Sequence, residues 1–121
     1  MILADTSVWI NHLRDRDRCL TALLQNRQVL IHPMVVGELA CGNLRNRQGV
    51  LTLLGNLPEV TVATHDEVLL FIERYRLMGR GIGYVDTHLL AAVALSEPVR
   101  LWTRDTRLKN VATELNVAYP A

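Results

Sequence analysis

The fold is decided in the stretch Ile2-Leu3-Ala4-Asp5-Thr6-Ser7, where a short apolar run passes through a carboxylate into an amphipathic segment. The apolar run predicts a brief, buried β-strand, and Thr6 or Ser7 is a suitable N-cap for a helix that continues through Leu13. A carboxylate next to buried residues is costly unless a partner or a cation neutralises it. Asp5 is therefore either a helix cap or one part of a binding site at the end of the first strand.

Short apolar runs alternate with longer amphipathic segments along the rest of the chain. Further strands are predicted at residues 29–31, 60–62 and 99–102, with a last edge strand at 117–119. Helices are predicted between them, and the helix over residues 84–96 is almost wholly apolar after its first turn, so we expect it to be central. Strands that alternate with helices predict an α/β fold, a parallel doubly wound sheet of four to five strands flanked by helices.

A long helix is expected after Thr64, because Thr64 and Glu67 have the spacing of a capping box. The apolar positions of this helix predict that it packs through Val68, Leu69, Ile72, Tyr75 and Met78. Trp9 and Trp102 also fall on apolar faces, so we expect both to be core residues.

The length of 121 residues and an ordinary globular composition indicate a single domain over residues 1–121. No apolar stretch approaches the roughly 18 residues that a membrane-spanning helix needs, and the start of the chain has no signal sequence. Cys19 and Cys41 belong to no C-x-x-C pair and the histidines are scattered, so no zinc site is visible. We therefore expect a cytoplasmic protein with free thiols and no membrane attachment.

Four acidic residues stand where apolar runs lead into helices, or one turn into a helix: Asp5, Glu38, Asp86 and Asp105. In doubly wound sheets, ligands bind beyond the carboxyl ends of the strands. Asp5 follows the first strand and Asp105 follows the fourth, so both reach one crevice if those strands are neighbours. Glu38 and Asp86 lie on helices whose first turns could face the same edge.

Four converging carboxylates favour a magnesium or manganese site, because these cations prefer oxygen ligands. A divalent metal activates water and stabilises charge on a phosphodiester that is being hydrolysed. Each acid alone also has a simpler interpretation as a helix cap, a first-turn acid or a solvated residue. The hydroxyls of Thr6, Ser7 and Thr103 lie close in sequence to two of the acids, where they either orient a carboxylate or cap helices and turns.

This ordered set of acids resembles the PIN-domain ribonucleases, and among them the VapC-like toxins of bacterial toxin–antitoxin modules. The matching motifs are Asp5-Thr6-Ser7, Val36-Gly37-Glu38-Leu39, Asp86-Thr87-His88-Leu89 and Thr103-Arg104-Asp105. The resemblance covers the whole chain and implies a parallel sheet flanked by helices, with the four acids as catalytic and metal-binding residues. It also implies Mg²⁺- or Mn²⁺-dependent endonucleolytic cleavage of single-stranded or loop RNA, a homodimer, and a cognate antitoxin that covers the groove.

Two other α/β classes with an acid after the first strand fit less well. A haloacid-dehalogenase-like enzyme requires a second aspartate at the position of Ser7. A phosphotransfer receiver requires an acidic pair after the first strand and a lysine near the last strand, where Lys109 is misplaced. A non-catalytic module of the same fold, which binds RNA or a protein partner without cutting, stays open as the alternative.

Candidate RNA contacts are a set of arginines and one tyrosine, none of them assigned by a motif. Arginine suits bidentate contacts to phosphates. The arginines that flank the acid-bearing segments are Arg45, Arg47, Arg80, Arg104 and Arg107. Among the aromatic residues, Tyr84 beside Asp86 is the best candidate for stacking on an RNA base.

Overall fold

The computed structural model describes residues 1–120, and Ala121, the last residue of the predicted domain, lies outside them. The described chain forms, in order, β1 (Ile2–Ala4), α1 (Thr6–Asp15), α2 (Arg18–Gln25), β2 (Val29–Leu30), α3 (Pro33–Ala40), α4 (Arg47–Gly55), α5 (His65–Tyr75), α6 (Tyr84–Leu95), β3 (Arg100–Trp102) and α7 (Thr106–Glu114). None of these helices is long and apolar enough to cross a membrane.

The three strands form a parallel sheet in the order β2-β1-β3, so β1 is the central strand. Single parallel bridges extend the sheet at both edges, one between Ile31 and Glu59 and one between Leu101 and Ala118. The predicted parallel sheet flanked by helices is therefore confirmed, and its two outer positions are occupied by one bridge each.

The prediction of a full strand over residues 60–62 is wrong. The N–H of Val60 donates to the carbonyl of Ile31 at 3.0 Å, but the chain then leaves the sheet. Thr64 already serves as the N-cap of α5, so few residues are available for further pairing. The predicted edge segment 117–119 also pairs with β3 only around Leu101.

Helix α6 lies at the centre of the hydrophobic core, as the sequence predicts. Its residues from Thr87 to Val93 are all buried. A helix that is apolar on all sides is stable only when other elements surround it, and α6 packs against α5 and β3. Trp9 and Trp102 are also buried, which confirms both as core residues.

Two helix starts follow from local side-chain chemistry. In α5, the hydroxyl of Thr64 accepts the N–H of Glu67 at 3.1 Å, and the carboxylate of Glu67 accepts the N–H of Thr64 at 2.8 Å. This reciprocal pair confirms the predicted capping box. In α3, the His32 ring caps the helix through Nδ1, which accepts the N–H of Met34 at 3.0 Å.

Helix α5 packs through a narrower face than its sequence suggests. Val68 is fully buried, whereas Leu69, Tyr75 and Met78 are each at least 40% exposed, so their prediction as packing residues is wrong. Leu69 is rotated by about 100° from Val68 around the helix. Tyr75 is the last residue of α5, and Met78 lies beyond it. Apolar spacing along a helix therefore overstated the width of the buried face.

Candidate active site at the carboxyl edge of the sheet

The carboxyl ends of β1 and β3 lie side by side, with Ala4 opposite Trp102. The next residues along the chain, Asp5 and Thr103, are both buried. The Thr103 hydroxyl donates a hydrogen bond to Oδ2 of Asp5 and accepts one from the N–H of Asp105 at 3.0 Å. A single hydroxyl thus joins the two acids that follow neighbouring strands.

Asp5 is the N-cap of α1, because its Oδ1 accepts the N–H of Val8 at 3.1 Å. The Ser7 hydroxyl donates to the same oxygen at 2.6 Å and accepts the N–H of Arg104 at 3.0 Å. The expectation that a hydroxyl residue caps this helix is therefore wrong, since the acid is the cap and the hydroxyl holds the acid. Burial raises the pKa of Asp5, and the hydrogen bonds that its carboxylate accepts oppose that rise.

Glu38 reaches the same region from α3. The hydroxyl of Thr6, the first residue of α1, donates to Oε1 of Glu38 at 2.5 Å. Glu38 also lines a cavity of about 500 Å³ with a mainly apolar wall that includes Ile10, Leu39 and Val50. None of the other three acids lines this cavity, so Glu38 lies between the cavity and the end of the sheet.

Asp86 lies in the first turn of α6, where its Oδ2 accepts the N–H of Gly83 at 3.0 Å. Burial raises the pKa of Asp86, and the negative charges of Asp5, Asp105 and Glu38 raise it further, against the effect of the Gly83 hydrogen bond. Charges perturb one another this way only when they lie near each other. The four predicted acids therefore form one electrostatic cluster.

Asp105 is the N-cap of α7, and its Oδ1 accepts the N–H groups of Arg107 and Leu108 at 2.9 Å and 3.2 Å. Its other oxygen accepts no hydrogen bond from the described residues, as is also true of one oxygen each of Glu38 and Asp86. These oxygens are available as ligands.

The donor set fits a hard divalent cation in its chemistry. Mg²⁺ and Mn²⁺ prefer carboxylate oxygen ligands and keep several waters, so a protein need not enclose them fully. Within residues 1–120, no three His, Cys, Asp or Glu side chains are close enough together to enclose a metal ion. Each carboxylate instead points towards its own hydrogen-bond donors, which is the arrangement expected for like charges that repel one another.

A sequence model described as the PIN domain matches residues 2–114 of the chain. The chain belongs to the PIN-domain family. A protein named Ribonuclease VapC32, from Mycobacterium tuberculosis strains CDC 1551 / Oshkosh and ATCC 25618 / H37Rv, is 53% identical over 118 residues. The matched region covers 98% of this PIN domain and 95% of that ribonuclease.

Two solved structures share the fold of this PIN domain. VapBC-1 from nontypeable Haemophilus influenzae superimposes with a TM-score of 0.65 at 18% identity, covering 94% of each chain. FitAcB from Neisseria gonorrhoeae superimposes with a TM-score of 0.64 at 22% identity, covering 98% of this chain and 95% of that chain. At such identities the likeness is one of fold.

A cluster of aromatic and imidazole rings borders the acids of the PIN domain, and the sequence analysis missed it. The Tyr84 hydroxyl is hydrogen-bonded to Nδ1 of His65 at 2.5 Å and to Nε2 of His88 at 2.8 Å. His65 and His88 thus converge in space although the histidines are scattered in sequence. The spacing of Tyr84 and His88, one helical turn apart, was the available signal, whereas His65 comes from another helix.

His88 of this cluster and the adjacent His32 are both buried and neutral at pH 7. Burial lowers the pKa of His32 to about 4, and the nearby His88 contributes to that decrease. Burial also lowers the pKa of His88, with a smaller contribution from His65. The rings of His32 and His88 meet edge to face, with their centroids 5.8 Å apart. The buried rings of His32 and His88 therefore add no positive charge to this region at pH 7.

Three of the arginines that flank the acid-bearing segments differ in whether they form an ion pair with a carboxylate of the protein. Arg80 forms a bidentate pair with Glu114, with both distances 2.9 Å. A terminal guanidinium nitrogen of Arg104 lies 3.6 Å from Oδ2 of Asp17. Among the described residues, no carboxylate pairs with Arg107. Its side chain instead packs on the loop that leads into α6.

Proposed function

We propose that this PIN domain is a Mg²⁺- or Mn²⁺-dependent endoribonuclease that cleaves single-stranded or loop RNA, and that it is the toxin of a toxin–antitoxin pair. The observation that carries the proposal is the meeting of acids at the carboxyl edge of the sheet, where the Thr103 hydroxyl joins Asp5 to Asp105 across the ends of β1 and β3. The raised pKa of Asp86, to which the charges of the other three acids contribute, supports this interpretation. Like charges held near one another destabilise a fold, and carboxylates with perturbed pKa values are concentrated at functional sites.

The proposed metal ligands are the four carboxylates, namely Asp5, Glu38, Asp86 and Asp105. When bound, the metal would supply an activated water and positive charge next to the scissile phosphate. The chain's own hydroxyls would fix the ligands. Thr103 and Ser7 hold the two oxygens of Asp5, and Thr6 holds one oxygen of Glu38. Ligands held in this way bind a metal better than mobile ones do.

The relatives support the substrate class and the partner. The name Ribonuclease VapC32, given to a protein 53% identical to this chain, supports RNA cleavage. We also propose that the protein works in the cytoplasm, where RNA substrates are present. The likeness to VapBC-1 and FitAcB supports a cognate antitoxin as the partner. We also propose a homodimer, by analogy with related toxins.

Cleavage of total RNA by the purified protein is the first test. We expect discrete fragments in Mg²⁺ or Mn²⁺, and none in EDTA or with Asp5→Ala. Asp15→Ala is the matched control, because Asp15 is exposed and paired only with Arg14. Cutting that continues in EDTA, or with Asp5→Ala, would contradict the metal-dependent mechanism.

A non-catalytic binding module is the second candidate. It is favoured because each carboxylate accepts hydrogen bonds from the protein itself, and because no three candidate metal ligands lie close together within residues 1–120. A binding module would retain its function in Asp5→Ala and Asp86→Ala. A toxin that acts by cleavage should arrest growth when it is induced alone, and the same two variants should not. Growth assays with both variants therefore separate the two candidates.

A further inference from the structure

Tyr84 is the exposed aromatic residue nearest to the acid cluster in sequence. It is the first residue of α6, it is 42% exposed, and it precedes Asp86 by two positions. Both tryptophans are buried in the core. Tyr75 is similarly exposed at 40%, but it ends α5, about 15 Å along that helix from His65. Tyr84 therefore offers aromatic surface at the edge where the proposed chemistry takes place.

The hydroxyl of Tyr84 is fully used by the protein itself. It is shared between His65 of α5 and His88 of α6, so it donates to one imidazole and accepts from the other. The rings of Tyr84 and His88 are also perpendicular, with centroids 4.7 Å apart. These contacts fix the orientation of the Tyr84 ring. A side chain that is already fixed loses less entropy when a ligand binds to it.

A cation lies on the loop just before Tyr84. A Cβ atom at Gly81 would be 2.7 Å from Cδ and 2.8 Å from a terminal nitrogen of Arg107, so the arginine rests on the backbone of this loop. Gly81 has a φ of +78°, which also favours glycine. The Arg107 guanidinium pairs with no carboxylate of residues 1–120, which leaves it available for a phosphate.

We propose that Tyr84 stacks on a nucleobase of single-stranded RNA beside the bond that is cut, and that Arg107 contacts the adjoining backbone phosphate. Unpaired bases stack on aromatic side chains, and arginine neutralises the phosphates between them. His65 and His88 act as positioning residues for the ring. This inference rests on the proposed ribonuclease function and adds the subsite that holds the substrate.

The test is RNA binding without cleavage, measured in EDTA by fluorescence anisotropy. The probes are a fluorescein-labelled oligoadenylate of about ten nucleotides and an abasic ribose-phosphate chain of the same length. We expect Tyr84→Leu to weaken binding of the oligoadenylate about 5- to 150-fold, the range of one base–aromatic stack, and to leave the abasic chain unaffected. Tyr84→Phe, which keeps the ring but frees it, should weaken binding about 2- to 10-fold.

Tyr75→Leu is the matched control, since it removes a tyrosine of similar exposure at the end of α5 opposite His65, and this variant should bind both probes like the wild type. Arg107→Gln should weaken binding of both probes and lower the slope of log affinity against log salt by about 0.7. Unchanged binding by Tyr84→Leu would overturn the stacking proposal, as would equal wild-type affinity for the two probes. If the wild type binds neither probe and cuts no RNA, the ribonuclease function itself fails.

Discussion

Helix α6 begins in a charged region and continues into an apolar one. Its first turn brings Asp86 to three other carboxylates, whereas its residues from Thr87 to Val93 are buried in the core. In the first region, burial and like charges oppose folding. In the second, removal of apolar surface from water favours folding. The comparison teaches that the apolar part of the helix compensates for the repulsion that the proposed metal site requires.

The largest expected effect is the loss of cleavage in Asp86→Asn. Removing a proposed metal ligand should cost about 3–4 kcal/mol of transition-state stabilisation, which corresponds to about 10²- to 10³-fold in rate. Circular dichroism should stay unchanged, because the substitution removes charge without changing side-chain volume. Asp15→Asn is the control and should cut normally. Cleavage by Asp86→Asn at the wild-type rate would show that Asp86 is not part of the active site, and the first turn of α6 would then have no catalytic role.

Leu90→Ala tests the apolar region of the same helix. Leu90 is fully buried, so we expect a loss of about 2–5 kcal/mol in the free energy of unfolding, measured by urea denaturation. Leu70→Ala, at a position 71% exposed, should change stability by no more than about 0.5 kcal/mol. Molecules of Leu90→Ala that remain folded should still cleave RNA. A variant with wild-type stability and no activity would show that the two regions are not separable.

Thr103→Val tests the hydroxyl that joins Asp5 to Asp105. The valine keeps the shape of the side chain but removes one donor to Asp5 and one acceptor for the Asp105 N–H. We expect activity to fall about 10- to 100-fold, the usual effect of losing a group that orients a metal ligand. Thr103→Ser retains the hydroxyl and should restore most of the activity. Equal loss in both variants would indicate a packing role.

The smallest expected effect is on stability against pH in EDTA. Folding raises the pKa of Asp86 above its ordinary value of 3.8, so the folded state holds this proton more tightly than the unfolded state does. The wild type should therefore lose stability relative to Asp86→Asn as pH rises from about 3.5 through the folded-state pKa, and the difference should level off above it. Urea denaturation of both proteins across this range measures the difference. A difference that does not vary with pH would contradict the raised pKa.

The strand ends at the site and the central helix could be predicted because both depend on local patterns. A short apolar run before an acid indicates a buried strand end, and an unbroken apolar helix indicates a central position. The pairing of β1 with β3 was a condition of the prediction and not part of it, because strand order depends on contacts between distant segments. The sequence therefore located each acid by the strand that precedes it or the helix that carries it, and left open whether the four acids meet.

The details that escaped prediction depend on contacts between distant segments. Asp5 caps α1 in place of Thr6 or Ser7, and its carboxylate also accepts the hydroxyl of Thr103 from the far end of the sequence. The convergence of His65 on Tyr84 requires the packing of α5 against α6, which no spacing within one helix encodes. Leu69 was predicted as a core residue because apolar periodicity shows which side of a helix is buried, but it does not show how wide the buried side is.

The position of β1 at the centre of the sheet has a consequence for how the protein is made. The hydroxyl of Thr103 and the carboxylate of Asp5 are 98 residues apart in sequence. During translation, β1 therefore leaves the ribosome long before β3 can complete its pairing, and contacts of such long range form late. An unfinished chain holds its acids apart and has no assembled site. For a protein proposed to be toxic, this strand order delays activity until nearly the whole chain has been synthesised.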